Sequence, residues 1–189
     1  VDPSKVILGV TNHGATFLGP GRIRHAGWGK TYIGELDGKV TDRVTQLAQV
    51  FTRARIETEV SSKIQCLVWN KLFINVGINP VATLTGLKNG NLLDYPETLR
   101  LMEALVSEAV AVARKKGILI EGDPIERVKA VAAATRENRC SMGQDVDNRR
   151  KTEIDSINGA VVREAERLGV SIPYNQMITD LVKVIEKNF

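Results

Sequence analysis

The spacing of apolar residues changes near residue 60. Before it, apolar positions come in short runs that favour strands: Val6-Ile7-Leu8-Gly9-Val10, Ala15-Thr16-Phe17-Leu18, Arg22-Ile23-Arg24-His25 and Thr31-Tyr32-Ile33-Gly34. Gly19-Pro20-Gly21 punctuates two of these runs as a turn. Val44, Leu47, Ala48 and Phe51 recur at helical spacing and predict a helix over residues 41–55. Ile56-Glu57-Thr58-Glu59-Val60 alternates and predicts a last strand. After residue 60 the pattern is helix and loop. The first predicted helix covers residues 62–79, and Pro80 is expected to bend or break it. A long helix over 94–116 has Asp94 as its cap, Glu97 at capping-box spacing and Gly117 at C′. Asp123-Pro124 opens another helix, running to about Asn138. Residues 141–151 are polar and predicted irregular. A helix over 152–168 ends at Gly169, and a final amphipathic helix runs from Pro173 through Lys187.

The helix over 62–79 is unusual in its polarity. Leu67, Val68, Leu72, Phe73, Ile74, Val76 and Ile78 make it apolar on most sides, the pattern of a buried helix. Yet Lys71, Asn75 and Asn79 stand at i, i+4 and i+8. Such residues stack along one stripe, about 6 Å apart along the axis and drifting about 40° per step. A buried polar stripe must be satisfied by protein, water or ligand. A cation flanked by two amides suits an anionic, oxygen-rich small molecule. Asparagines that brace loops and a lysine that snorkels to solvent would account for the same residues.

Bulk properties narrow the choice. The chain has 189 residues, 43% hydrophobic and 25% charged, with a net charge of +4. Residues 1–60 carry 8 basic and 6 acidic groups; residues 61–189 carry 18 and 16, which together make the 26 and 22 of the chain. The excess is spread evenly, so no basic half points to nucleic acid. No apolar run approaches the length of a membrane span, and Val1-Asp2-Pro3-Ser4-Lys5 is not a signal peptide. The absence of an initiator Met suggests a processed product or a piece of a longer chain. Cys66 and Cys140 are isolated, and His13 and His25 are the only histidines, so a metal site has little support and reduced, cytoplasmic thiols are expected.

Three further stretches carry candidate chemistry. In Thr83-Leu84-Thr85-Gly86-Leu87-Lys88-Asn89-Gly90, the loop can fold back over the Lys71 face and add Asn89, or simply make a turn. Ser141, in Arg139-Cys140-Ser141-Met142-Gly143-Gln144-Asp145, has no nucleophile elbow around it; it suits a carboxylate-binding hydroxyl or a cap. Glu153 and Asp155 suit either a first helical turn or a hydroxylated ligand.

In sequence order these stretches read W-N-K-L-x-x-N-x-x-x-N-P, L-T-G-x-x-N-G, S-M-x-Q-D, R-x-T-E-I-D-x-I-N-G-A-V-V and G-V-x-x-P. Residues 60–189 thereby resemble the C-terminal helical domain of ketopantoate reductases, or 2-dehydropantoate 2-reductases. Residues 8–34 resemble the last strands of that family's nucleotide-binding domain. The resemblance implies an α+β fragment. Residues 1–61 would be the remnant of a Rossmann-type domain. Residues 62–189 would be a substrate-binding helical domain like the C-terminal domain of 6-phosphogluconate dehydrogenase.

The resemblance also implies roles. Lys71 would be the catalytic acid, with Glu153 beside the substrate hydroxyls and the cofactor. Asn75, Asn79, Asn89 and Ser141 would bind substrate, and the backbone at Ala15 would approach the cofactor NADPH. The reaction would reduce the 2-keto group of ketopantoate in pantothenate synthesis, in the cytoplasm. A lysinium there would polarise the carbonyl and protonate the developing alkoxide. Burial would lower the lysine's pKa, and a carboxylate such as Glu153 would oppose that. The family's G-x-G-x-x-G loop is absent from these residues, so the piece alone is expected to bind NADPH poorly and not to turn over. Two alternatives remain: reduction of another 2-oxo acid on the same fold, or a homodimerising helical module, with Leu101, Leu105, Val106 and Val110 serving as seam or as core.

Overall fold

The computed structural model describes residues 2–189, with backbone only at Thr16 and Ala26. The residues form two compact units, Val1–Val68 and Trp69–Phe189.

The first unit is built on β1 (Ile7–Thr11), β2 (Gly14–Gly19), β3 (Arg22–Gly27), β4 (Thr31–Glu35), α1 (Asp42–Arg53) and β5 (Thr58–Val60). β4 lies between β1, antiparallel to it, and β5, parallel to it. A parallel pair needs a crossover, and α1 supplies it. β2 and β3 form a separate hairpin whose turn has Gly19 and Gly21 at positive φ, conformations that glycine adopts without strain. Thr41 caps α1 by accepting from the Val44 N–H. The core is small: Ile33, Val44 and Ala48, edged by Ile7, Leu47, Phe51 and Val60. Beside it, Glu35 has only 6% of its side chain exposed and is gripped by the Arg43 guanidinium and the Thr41 hydroxyl.

α2 (Ile64–Thr85) begins in this unit, where Ile64 lies against Gly34 and Gln65 donates to the Leu36 carbonyl. It does not stop before Pro80: it runs on for another turn to Thr85. The expected break is therefore wrong, and the reason is visible. A proline at 80 removes the N–H that would bond the Val76 carbonyl. The Asn158 side-chain amide donates to that carbonyl instead, at 3.4 Å.

The second unit continues with α3 (Pro96–Lys115), α4 (Pro124–Ala134), α5 (Ser141–Asp147), α6 (Asn158–Leu168) and α7 (Pro173–Glu186). Asp123 caps α4 with bonds to the Ile125 and Glu126 N–H groups, as its spacing indicates. Three expectations need correction. Residues 89–94 form a 3-10 turn and α3 starts at Pro96, because Asp94 is taken by the Arg136 guanidinium at 2.6 and 2.8 Å instead of capping. Residues 141–147 are helical, because Met142 and Gly143 are buried and Cys140 caps the turn. α6 starts at Asn158, so the acids of residues 152–157 lie in a preceding turn, with the Ser156 and Ile157 N–H groups bonded to the Glu153 carbonyl. Leu105, Val106 and Val110 of α3 are buried in one large core with Phe73, Ile78, Met142, Ile154 and Val182.

Candidate active site

α2 carries the predicted stripe. Lys71 and Asn75 are half-buried and Asn79 is buried, so the helix sinks progressively into the second unit. Its middle is fixed by a buried amide chain. Asn158 Nδ2 donates to the Val76 carbonyl and to Asn175 Oδ1, and Asn175 Nδ2 donates to the Leu105 carbonyl and Glu108 Oε2. Both asparagines are fully buried. Each such bond offsets the cost of removing an amide from water.

The far end of the stripe meets α5. The Asn79 carbonyl accepts from the Thr83 hydroxyl at 2.7 Å and from the Cys140 thiol at 3.5 Å. Cys140 Sγ in turn accepts from the Gly143 N–H, so a buried thiol both caps α5 and ties it to α2. Ser141, the next residue, is exposed at the first position of α5. Arg139 secures the same junction. Its guanidinium donates to the Ala82 and Leu87 carbonyls and, through two 3.0 Å bonds, to Asp147. That guanidinium holds the Asp147 carboxyl below its usual range. Gly143 leaves room for this guanidinium, since a Cβ would fall 2.5 Å from the Arg139 Cζ and make the arginine shift.

The two acids of the turn before α6 separate. Asp155 is engaged by Lys183 at 2.7 Å, whose hydrogen bond depresses its pKa. Glu153 is exposed. The turn is anchored at Thr152, whose N–H and hydroxyl both donate to Glu186 Oε1 at 2.6 Å.

Asn89, the expected donor over the Lys71 face, is tied to the end of α4. It is 8% exposed, its backbone N–H bonds to the Asn138 carbonyl, and its Nδ2 donates to Thr135 Oγ1 at 3.0 Å. Its Oδ1 is buried with no partner among the described residues. Gly90 beside it is not left-handed; it is glycine because a Cβ would fall 2.1 Å from Arg136 Cγ. Asn89 is thus bonded to the end of α4, while Asn79 and the start of Ser141's helix are joined through Cys140.

Ala15 lies in the first unit, exposed on β2 opposite His25. It borders a cavity of about 580 Å³, together with His13, His25, Trp28, Phe51 and Arg55. His13 Nδ1 and His25 Nε2 are 3.0 Å apart, and His13 Nε2 is buried without a partner among the described residues. Aromatic walls and an unpaired ring nitrogen fit a planar, polar ring such as a nicotinamide. The residues contain no glycine-rich strand-to-helix turn, so they do not cradle a diphosphate by themselves.

Comparison with known proteins decides the family. The model for the ketopantoate reductase PanE/ApbA C-terminal domain matches residues 63–186, and the ketopantoate reductase PanE/ApbA model matches residues 1–38. The chain belongs to the ketopantoate reductase family. A 2-dehydropantoate 2-reductase from Halobacterium salinarum is 37% identical over 188 residues, covering 100% of this chain and 62% of the relative. The chain therefore spans about 62% of that relative's length. Among solved structures, a PanE/ApbA family ketopantoate reductase from Ralstonia eutropha superposes with a TM-score of 0.88 at 28% identity, over 96% of this chain and 59% of that one. A D-mandelate dehydrogenase with NADH and anilino(oxo)acetate superposes with a TM-score of 0.88 at 25% identity, over 100% and 62%. The α+β architecture expected from the ketopantoate reductase resemblance is the one observed.

Sequence reasoning missed Arg139 and Asn158 as builders of this region. Arg139 reads as one more surface charge until its carbonyl acceptors are known. Asn158 reads as one more polar residue near a helix start until its bond to the Val76 carbonyl is known.

Proposed function

We propose that these residues form the substrate side of an NADPH-dependent reductase of 2-dehydropantoate, acting in the cytoplasm in pantothenate synthesis. The observation that carries this reading is the Lys71-Asn75-Asn79 stripe on a buried helix, in a chain of the ketopantoate reductase family. A bound nicotinamide cofactor would supply the hydride that the 2-keto carbon accepts. Lys71 polarises the carbonyl and gives its proton to the oxygen as negative charge develops there. Asn75, Asn79 and Ser141 orient the substrate without adding charge. Asn89, with its buried unpartnered oxygen, is the remaining polar contact, and Glu153 accepts from substrate and cofactor hydroxyls. Ala15 borders the nicotinamide. Without a diphosphate cradle, the 189-residue chain alone binds NADPH weakly and does not turn over.

The test uses a protein of the relatives' full length that carries these residues. NADPH oxidation in the presence of 2-dehydropantoate is expected, and Lys71→Ala should lower kcat by about 10²–10⁴ with the helical circular dichroism unchanged. A Lys71→Ala variant with near-normal kcat removes Lys71 from the acid role. A second reading has its own support: the D-mandelate dehydrogenase likeness favours reduction of a different 2-oxo acid. A panel of 2-oxo acids at fixed NADPH separates the two by their kcat/KM ratios.

A further inference from the structure

Arg139 joins two helices at the far end of the polar stripe. Its Nη1 donates to the Ala82 carbonyl at 2.7 Å and to the Leu87 carbonyl at 3.4 Å, around the C-terminal end of α2. Its Nε and Nη2 each lie 3.0 Å from an oxygen of Asp147, the last residue of α5. Between these contacts the guanidinium lies against Gly143, in the first turn of α5. A planar fork can grip a carboxylate with two parallel bonds while its third nitrogen serves another acceptor; a lysine ammonium cannot. A helix of seven residues does not hold itself together, so α5 depends on what it packs against. Burial of Met142 holds α5 down, but apolar burial has no direction. The direct bond from Cys140 to the Asn79 carbonyl is long, 3.5 Å, and comes from a weak donor. Arg139 therefore supplies the direction, and the first residue of the helix that it orients is Ser141.

We propose that Arg139 is a positioning residue for the substrate: it fixes Ser141 relative to Asn79 and thereby sets the affinity for the 2-oxo acid. The inference rests on the reading of Ser141 and Asn79 as substrate contacts. Lys71 stands eight residues before Asn79 on α2, about 12 Å away along the helix axis. Loosening α5 therefore leaves the proton donor in place. The loss falls on binding rather than on the chemical step. Contacts that hold substrate and transition state alike give uniform binding, and losing them raises KM with kcat little changed.

The test uses a protein of the relatives' full length that carries these residues. Arg139→Lys should raise KM for 2-dehydropantoate about tenfold and change kcat less than about twofold. A variant that merely folds less well does the reverse, lowering apparent kcat at constant KM. Asp147→Asn leaves one acceptor oxygen and should move KM in the same direction by about threefold. Where another 2-oxo acid is the better substrate, the same shift is read on that acid. A second measurement needs no activity. Alkylation of Cys140 by iodoacetamide, followed by peptide mass mapping, should run about tenfold faster in Arg139→Lys, because α5 no longer covers the thiol as firmly. Cys66, also buried on α2, is the internal reference and should keep its rate. Loss of overall stability would speed both cysteines equally, and that result overturns the proposal. So does an Arg139→Lys protein whose KM matches the parent's, whatever its labelling. A parent inactive on every 2-oxo acid overturns the substrate reading and the affinity role with it; faster labelling of Cys140 alone would then leave Arg139 only as the tether of α5.

Discussion

The two units retain their polar groups by different means. In Trp69–Phe189, one extended apolar core surrounds buried amides, and those of Asn158 and Asn175 donate to helix carbonyls and to one another or Glu108. In Val1–Val68 the core is three residues with a partly buried edge, and the principal buried polar group is a carboxylate held by an arginine. A large core can immobilise neutral amides, whose bonds each contribute about 0.5–1.5 kcal/mol. A thin core near solvent holds a charge more readily, because water still reaches the guanidinium. The candidate catalytic stripe sits on the first kind of scaffold. The His13, His25 and Trp28 cavity sits on the second, beside exposed Ile23 and Phe17.

The sharpest way to break this comparison is to make the same truncation in both units. Ile78 and Ile33 are 2% and 4% exposed. Ile78→Ala should cost about 4–5 kcal/mol and Ile33→Ala about 2–3 kcal/mol, since a site near solvent relaxes around the lost atoms more easily. Backbone propensity works the other way, favouring alanine in a helix and isoleucine in a strand by a few tenths to about 1 kcal/mol. The predicted order therefore survives only if cavity cost dominates. Urea denaturation followed by circular dichroism measures both values, and a reversed order removes the distinction between the scaffolds.

A finer test addresses how the helical unit keeps α2 continuous through Pro80. Asn158→Ala leaves the Val76 carbonyl without its side-chain donor and should cost about 1–2 kcal/mol. Pro80→Ala supplies an N–H at residue 80 that can take over that carbonyl. Asn158→Ala should consequently cost about 1 kcal/mol less in the Pro80→Ala background than in the parent. Additive costs would mean that the Asn158–Val76 bond, at 3.4 Å, contributes nothing.

These residues also mark how far sequence could be read. Local signals were dependable: Thr41 lies in the predicted start of α1 and caps it, Asp123 caps α4, and Gly169 ends α6 in a left-handed turn. The Lys71-Asn75-Asn79 stripe was legible because helical spacing alone puts those residues on one side. What failed depended on partners distant in sequence. Asp94 looked like a cap until Arg136 took it, and residues 141–147 looked irregular until burial of Met142 made a polar segment helical. Pro80 looked like a stop until Asn158 met Val76. No local pattern announces a bond spanning forty residues or more, so such bonds remain hidden until the packing is known.

The smallest effect is expected in the β unit, and it comes from pH. The Arg43 hydrogen bonds, followed by the Thr41 hydroxyl, hold the Glu35 carboxyl down to about 2, although burial pulls the other way. A carboxylate depressed in the folded state stabilises the fold above its unfolded pKa, and that stabilisation is lost as pH falls through the folded value. Here the window runs from the ordinary glutamate value of 4.5 down to about 2. Glu35→Gln keeps the shape and removes the charge, so at neutral pH the variant should melt at a lower temperature than the parent. The gap should stay open near pH 5, narrow below the window's upper end and close as pH approaches its lower end. Asp147, Asp155 and Asp94 are depressed by Arg139, Lys183 and Arg136 in the helical unit, and they titrate in both proteins. The difference between the two melting curves, rather than either one, therefore isolates Glu35. A gap that stays constant across the window would show that shape, not the ionised pair with Arg43, is what Glu35 contributes to the thin core.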